Sequence, residues 1–254
     1  MALVKYLIEF GDIIVVGREE KQMSTIFSEW NKAAKIHGAK SSIEDLQEII
    51  DSLKKLLAEN GECCEYLVHR AAENGNVRLL EFFLTTSYDM NSHDSHGRTV
   101  FYSACANGRT AQLLVEESTK LGIDLNARDN RGDTPFHVAC GNGSTETVQL
   151  FIELSTKLGI DLDATNHYGD TPFHSACESG KAETVKLLIE LSTKLGINLN
   201  NARDHDGKTP FHIACGNSRT ETVKLLLELS TKHAIDLNST DSNGETPFHW
   251  ACER

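Results

Sequence analysis

GDTPFHVACGNGSTETVQLFIELSTKLGIDLDATNHYG, residues 132–169, reads as two helices and the turns that end them. Thr134 is a natural helix N-cap, and Pro135 suits the first helical position, where no backbone N–H is needed. Phe136, Ala139 and Cys140 give a short first helix one apolar face, and Gly141-Asn142-Gly143 ends it. A second helix is predicted from Thr147 to Leu158, burying Val148, Phe151, Ile152 and Leu158 and leaving Gln149, Glu153 and Lys157 in water. Gly159 stops it, and Ile160 and Leu162 lead into a polar turn that closes on Gly169. A helix as short as the first is marginal alone, so it must borrow stability from neighbours.

Those neighbours are present in the sequence. Thr-Pro-Phe-His begins at Thr134, Thr171, Thr209 and Thr246, at spacings of 37, 38 and 37. The longer interval holds an additional residue near Asn200-Asn201. A weaker copy, TVFYSAC, begins at Thr99, and YLVHRAAENGNVRLLEFFL places His69 another 33 residues before Tyr102. A period in this range indicates a solenoid, in which each unit buries the apolar face of the next. Its units fall at about 66–98, 99–133, 134–170, 171–208 and 209–245, with a partial unit at 246–254.

The motif resembles the ankyrin repeat signature Thr-Pro-Leu-His-x-Ala. Here the matching residues are Thr134 to Ala139, Thr171 to Ala176, Thr209 to Ala214 and Thr246 to Ala251, and the glycine-ended approach recurs at Gly132, Gly169, Gly207 and Gly244. The resemblance covers about residues 62–254 and implies an all-α ankyrin-repeat solenoid, its helix-turn-helix units joined by β-hairpin-like turns. It also implies that each signature histidine hydrogen-bonds the turn leading into its neighbour. Phe replaces Leu, Cys replaces the second Ala, and units of 37 or 38 residues exceed the usual 33. The surplus falls in ELSTKLGI, which lengthens the second helix or its exit. The 99–133 unit is shorter, either there or between its helices.

Residues 1–61 form a separate N-terminal region. Met23, Phe27, Trp30, Ala34 and His37 share one helical face, and Ile43, Leu46, Ile49, Ile50, Leu53, Leu56 and Leu57 form a second stripe after a capping signal from Ser41 to Glu44. Two readings stand: a helical pair that covers the exposed end of the first repeat, or a segment that binds a partner. Val4 to Gly11 also resembles the middle of a repeat, which would make residues 20–60 an insertion in a broken unit.

The formal charge of −12 disfavours a nucleic-acid backbone reader and is compatible with a basic protein partner. No apolar run approaches the 18 residues a membrane span needs, and Lys5, Glu9 and Asp12 interrupt the apolar start where a secretory signal would stand. With an odd set of 7 cysteines, reduced thiols and an intracellular site, cytoplasm or nucleus, are the simpler expectation.

His137/Cys140, His174/Cys177, His212/Cys215 and His249/Cys252 raise the question of zinc. Equivalent side chains on stacked helices sit about 8–10 Å apart, whereas zinc ligands converge to about 2.0–2.3 Å from one ion. Each cysteine is therefore expected as a small buried hydrophobe. A Cys/His pair repeated along a periodic wall also lacks the single shaped pocket that catalysis requires. No enzyme, metal or cofactor is expected.

Function then lies where the units differ. The hairpin tips carry Ser95/His96, Asn130/Arg131, His167/Tyr168, His205/Asp206 and Ser242/Asn243. Arg128 and Arg203 stand just before two of them, and Val138, Ser175, Ile213 and Trp250 follow the signature histidines. In the ankyrin family these positions line a concave partner-binding surface. The resemblance thus marks His96, Arg128, Arg131, His167, Tyr168, Arg203, His205, Asp206, Ile213 and Trp250 as candidate contacts. Tyr168, Arg131 and Arg203 rank first, because aromatic and arginine side chains dominate interface hot spots. A protein-interaction module is the reading, with a regulatory inhibitor of a transcription factor or enzyme, or a fragment of a longer array, as alternatives.

Overall fold

The computed structural model describes residues 61–85, 88–195 and 201–252. The N-terminal readings, residues 196–200 before Asn201 and the exit of the helix ending at Leu195 lie outside the described residues.

Eleven α-helices and no strand are found among the described residues. They come in pairs, and from α3 onward a short helix precedes a long one: α1 Gly61–Glu73 and α2 Val77–Leu84; α3 Val100–Ala104 and α4 Gly108–Leu121; α5 Pro135–Asn142 and α6 Thr145–Leu158. Then follow α7 Pro172–Ser179 and α8 Ala182–Leu195; α9 Pro210–Gly216 and α10 Thr220–His233; and a lone α11 Pro247–Cys252. Each helix packs on its partner within the unit. Odd-numbered helices stack on odd-numbered ones and even on even, so two parallel rows build an all-α solenoid.

The short helices form because both ends are fixed locally. Thr134, Thr171 and Thr209 cap α5, α7 and α9 from extended backbone, with proline in the first turn. The third residue of each helix is the signature histidine, which takes the reciprocal part that Glu or Gln plays in an ordinary capping box. α5 and α7 end on Gly143 and Gly180 in the left-handed region. The run Gly141-Asn142-Gly143 ends α5 as expected: Gly141 and Asn142 are its last helical residues, and Gly143 supplies the positive φ that reverses the chain. α6 begins at Thr145 rather than Thr147, with Ser144 at its N-cap.

The long helices account for the long repeat. α4, α6 and α10 each have 14 residues. The 99–133 unit is therefore shortened in its first helix and not its second: α3 has 5 residues where α5 has 8.

Between the rows runs the core. Phe101, Phe136, Phe173 and Phe211, from α3, α5, α7 and α9, are essentially fully buried, whereas the equivalent Phe248 of α11 is exposed. Burying each of the first four contributes about 1.5–3 kcal/mol. Phe151 of α6 occupies the position of Leu114, Leu188 and Leu226, and meets Phe101 and Phe136 edge-on at 5.7 and 5.4 Å. In α6, Val148 and Phe151 are buried as expected, while Ile152 and Leu158 are only half-buried and Thr147 and Ser155 take the remaining buried positions. Cys105, Cys140, Cys177 and Cys215 fill small gaps in the short-helix row. Cys252, expected to be buried like its equivalents, is exposed. Its equivalents are covered from the other side, where among the described residues no element follows α11.

A candidate partner-binding surface along the hairpin tips

Each hairpin is organised by an Asp or Asn four residues before the helix-capping approach ends. Oδ1 of Asp129 accepts the backbone N–H groups of Arg131 and Asp133 at 2.8 and 2.9 Å. Asp94, Asn166, Asp204 and Asp241 do the same in their own turns. A backbone N–H then joins consecutive tips: Asn130 donates to His96 O, His167 to Arg131 O, His205 to Tyr168 O, and Ser242 to Asp206 O, at 2.8–2.9 Å. The tips thus form a continuous rail.

This rail gives the two residues of each tip different tasks. The first turns back onto the preceding hairpin's glycine. A Cβ on Gly132 would come within 2.7 Å of the His167 ring, one on Gly169 within 2.7 Å of the His205 ring, and one on Gly97 would collide with the Asn130 amide. The second, His96, Arg131, Tyr168 or Asp206, offers the carbonyl that accepts the next tip's N–H, and both residues of these tips are exposed. Tyr168 is 55% exposed, and among the described residues it shares that exposure of a large aromatic ring with Phe248 of α11, at 56%. The Arg131 guanidinium stands 5.8 Å from the centroid of that ring. Asp206 pairs with Lys208 at 2.7 Å, and Ser95 Oγ lies 3.2 Å from His96 Nδ1.

Arg128 and Arg203 are engaged within the array. Nη1 of Arg203 donates to Gly207 O at 2.7 Å and to Thr240 O at 2.6 Å, tying one hairpin to the next. Arg128 makes the matching pair with Gly132 O and Thr165 O. Trp250 is engaged as well: its indole N–H donates to Asp241 at 3.1 Å, Lys208 Nζ lies 4.6 Å from its ring, and its edge lies against Gly216. Ile213, like Val138 and Ser175, is half-buried on the short-helix row.

The signature histidines are joints. Nδ1 of His174 accepts from Thr171 N at 3.1 Å, and Nε2 donates to Lys208 O at 3.1 Å. His137 and His212 repeat this with Asp170 O and Glu245 O. Both ring nitrogens are occupied, and burial holds all three imidazoles below their ordinary pKa. In the 99–133 unit Tyr102 replaces the histidine and reaches the next hairpin by donating to Asp129 at 2.9 Å. Burial raises the thiols of Cys105, Cys140 and Cys177, and that of Cys215 to about 11, so none is a thiolate near neutrality. Among the described residues no group of three or more His, Cys, Asp or Glu side chains could hold a metal ion, and no helix is long and apolar enough to cross a membrane.

The tip aspartates, the clamping role of Arg128 and Arg203 and an asparagine bridge are not legible in the residue types alone. In that bridge, Asn126 Nδ2 donates to Gly159 O and its Oδ1 accepts from Asp161 N, and Asn91 and Asn201 repeat the pattern. The recurrence of Asp or Asn three residues before each tip glycine was the available signal.

A family model described as ankyrin repeats (3 copies) matches residues 45–129, 68–166, 119–201 and 192–254. No curated protein matches the chain.

Proposed function

The chain belongs to the ankyrin repeat family, whose members act as non-catalytic binding scaffolds, and we propose that this one holds a protein partner against its hairpin tips and short-helix row. One observation carries the reading: Tyr168 keeps a large ring exposed on a backbone fixed from both sides, since its N–H donates to Asn166 and its carbonyl accepts from His205. A rigid exposed aromatic loses little entropy on binding, which is the character of an interface anchor. Arg131 stands beside it, His96 and Asp206 lie along the tips, and Ile213 adds an apolar contact from the short-helix row. His167, His205, Arg128, Arg203 and Trp250 contribute by holding these side chains in place. The partner is cytoplasmic or nuclear, and the chain's negative field favours one with a basic surface.

Quantitative affinity purification with the intact protein tests this, using Tyr168→Ala together with Ile213→Asp as the comparison. A partner retained by the wild type and lost by the double variant, with the fold intact by circular dichroism, is the expected result. Partners retained equally by both would remove the surface from consideration. The inhibitor reading predicts in addition that a captured transcription factor or enzyme regains activity when this chain is removed.

A further inference from the structure

Resting on the tip-surface reading, we infer that Arg131 and Tyr168 together form a receptor for one carboxylate, an Asp or Glu side chain set beside an apolar residue in a partner's peptide segment. The cations of the rail are not equivalent. Arg98 is paired with Asp94 at 2.6 Å and Lys208 with Asp206 at 2.7 Å. Arg128 and Arg203 are spent on backbone carbonyls. Arg131 forms no ion pair among the described residues; its side-chain partner is the neutral Tyr168 hydroxyl, which leaves its charge uncompensated, and the carboxylates nearest to it in the chain are already engaged. Asp129 accepts from the Tyr102 hydroxyl and from two backbone N–H groups, and Asp133 accepts from the Asn166 amide at 2.8 Å.

An exposed arginine beside an exposed aromatic ring offers two complementary surfaces. The guanidinium fork matches a carboxylate, which it binds through two parallel hydrogen bonds. The Tyr168 face matches an aliphatic or aromatic side chain next to that carboxylate. The net charge of −12 bears on the rest of the partner, because a broadly acidic protein would be repelled at long range. The segment is therefore a single acid within a neutral or basic surface.

A phage-displayed library of short random peptides, panned on the full chain, tests the inference. Enriched peptides are then measured by fluorescence anisotropy against wild type, Arg131→Ala, Arg131→Lys and Tyr168→Ala. Peptides sharing an Asp or Glu beside an apolar residue are expected, with at least a tenfold loss on Arg131→Ala and on Tyr168→Ala. Arg131→Lys should recover only part of it, because lysine keeps the charge and not the fork. Enriched peptides that lack the acid, or that bind Arg131→Ala unchanged, would overturn the inference, as would a library yielding no enriched peptide. Peptides indifferent to Arg131→Ala but lost on Ile213→Asp would overturn it while leaving the tip-surface reading in place.

Discussion

Nε2 of His174 donates to the carbonyl oxygen of Lys208 at 3.1 Å, across 34 residues of sequence and one joint of the stack. Nδ1 of the same imidazole accepts from the Thr171 N–H and, at 2.9 Å, from the Thr171 hydroxyl. One buried side chain thus starts its own helix and fastens the following hairpin.

Replacing it should weaken a joint without touching any exposed side chain. His174→Ala leaves the Thr171 N–H and the Lys208 carbonyl without these partners and opens a cavity, at a cost of about 2–4 kcal/mol. Urea unfolding should show a lower midpoint, or a second transition as the array separates at that joint. An unchanged single transition would contradict the role.

The three joint histidines also set a pH dependence. Burial lowers the imidazoles of His137, His174 and His212, against the raising influence of the hydrogen bonds to Asp170 O, Lys208 O and Glu245 O and of nearby Asp133, Asp170, Asp204 and Asp241. Arg128 and Arg203 lower His137 and His212 further, and His212 lowers His174. The unfolded chain therefore binds more protons, and the histidine contribution is complete above about pH 6.5 and declines as pH falls below it, by at most about 1.4 kcal/mol per pH unit for each ring. Asp163, raised by its hydrogen bond with Asp161, and Asp170, raised by burial, act in the opposite sense at lower pH. Urea midpoints at pH 7.5 and 5.5 should fall more in wild type than in His174→Gln, and equal changes would refute the assignment.

The 209–245 unit carries two residues in the left-handed region without being glycine, Ser218 at φ 55° and Ala234 at φ 51°. Gly180 and Gly159 occupy the equivalent positions in other units at φ 72° and 65°. Ser218→Gly and Ala234→Gly should each raise stability by about 1 kcal/mol in thermal or urea unfolding. A loss of stability would mean that their side chains contribute more than their backbones cost.

Two tip glycines separate backbone strain from packing. Gly169 and Gly244 have nearly the same φ, 82° and 80°, but a Cβ on Gly169 meets His205 N at 2.7 Å whereas one on Gly244 meets nothing within 4 Å. Gly244→Ala should cost about 1–2 kcal/mol from conformation alone, and Gly169→Ala measurably more. Equal losses would show that His205 is not packed on the preceding tip.

How legible this was depended on the range of each interaction. Thr134, Pro135 and Gly159 act within one turn of their own helix, so residue type and position are enough to read them. The joint histidines act across a repeat and were legible only through the family resemblance. Arg203 and Trp250 look like binding anchors by residue type, and only the fold brings Thr240 O to one and Gly216 to the other. The tip pair His167/Tyr168 is the sharpest example: both are exposed neighbours in sequence, yet only His167 also lies against the preceding tip's glycine.

The account rests on that separation between side chains that hold the stack and side chains left over for a partner. Its most direct test is to measure partner affinity and unfolding midpoint together for Tyr168→Ala and Arg203→Ala. Tyr168→Ala should weaken binding at least tenfold at an unchanged midpoint, and Arg203→Ala should lower the midpoint. An unaltered affinity for Tyr168→Ala, or a midpoint that falls with it, would contradict the account.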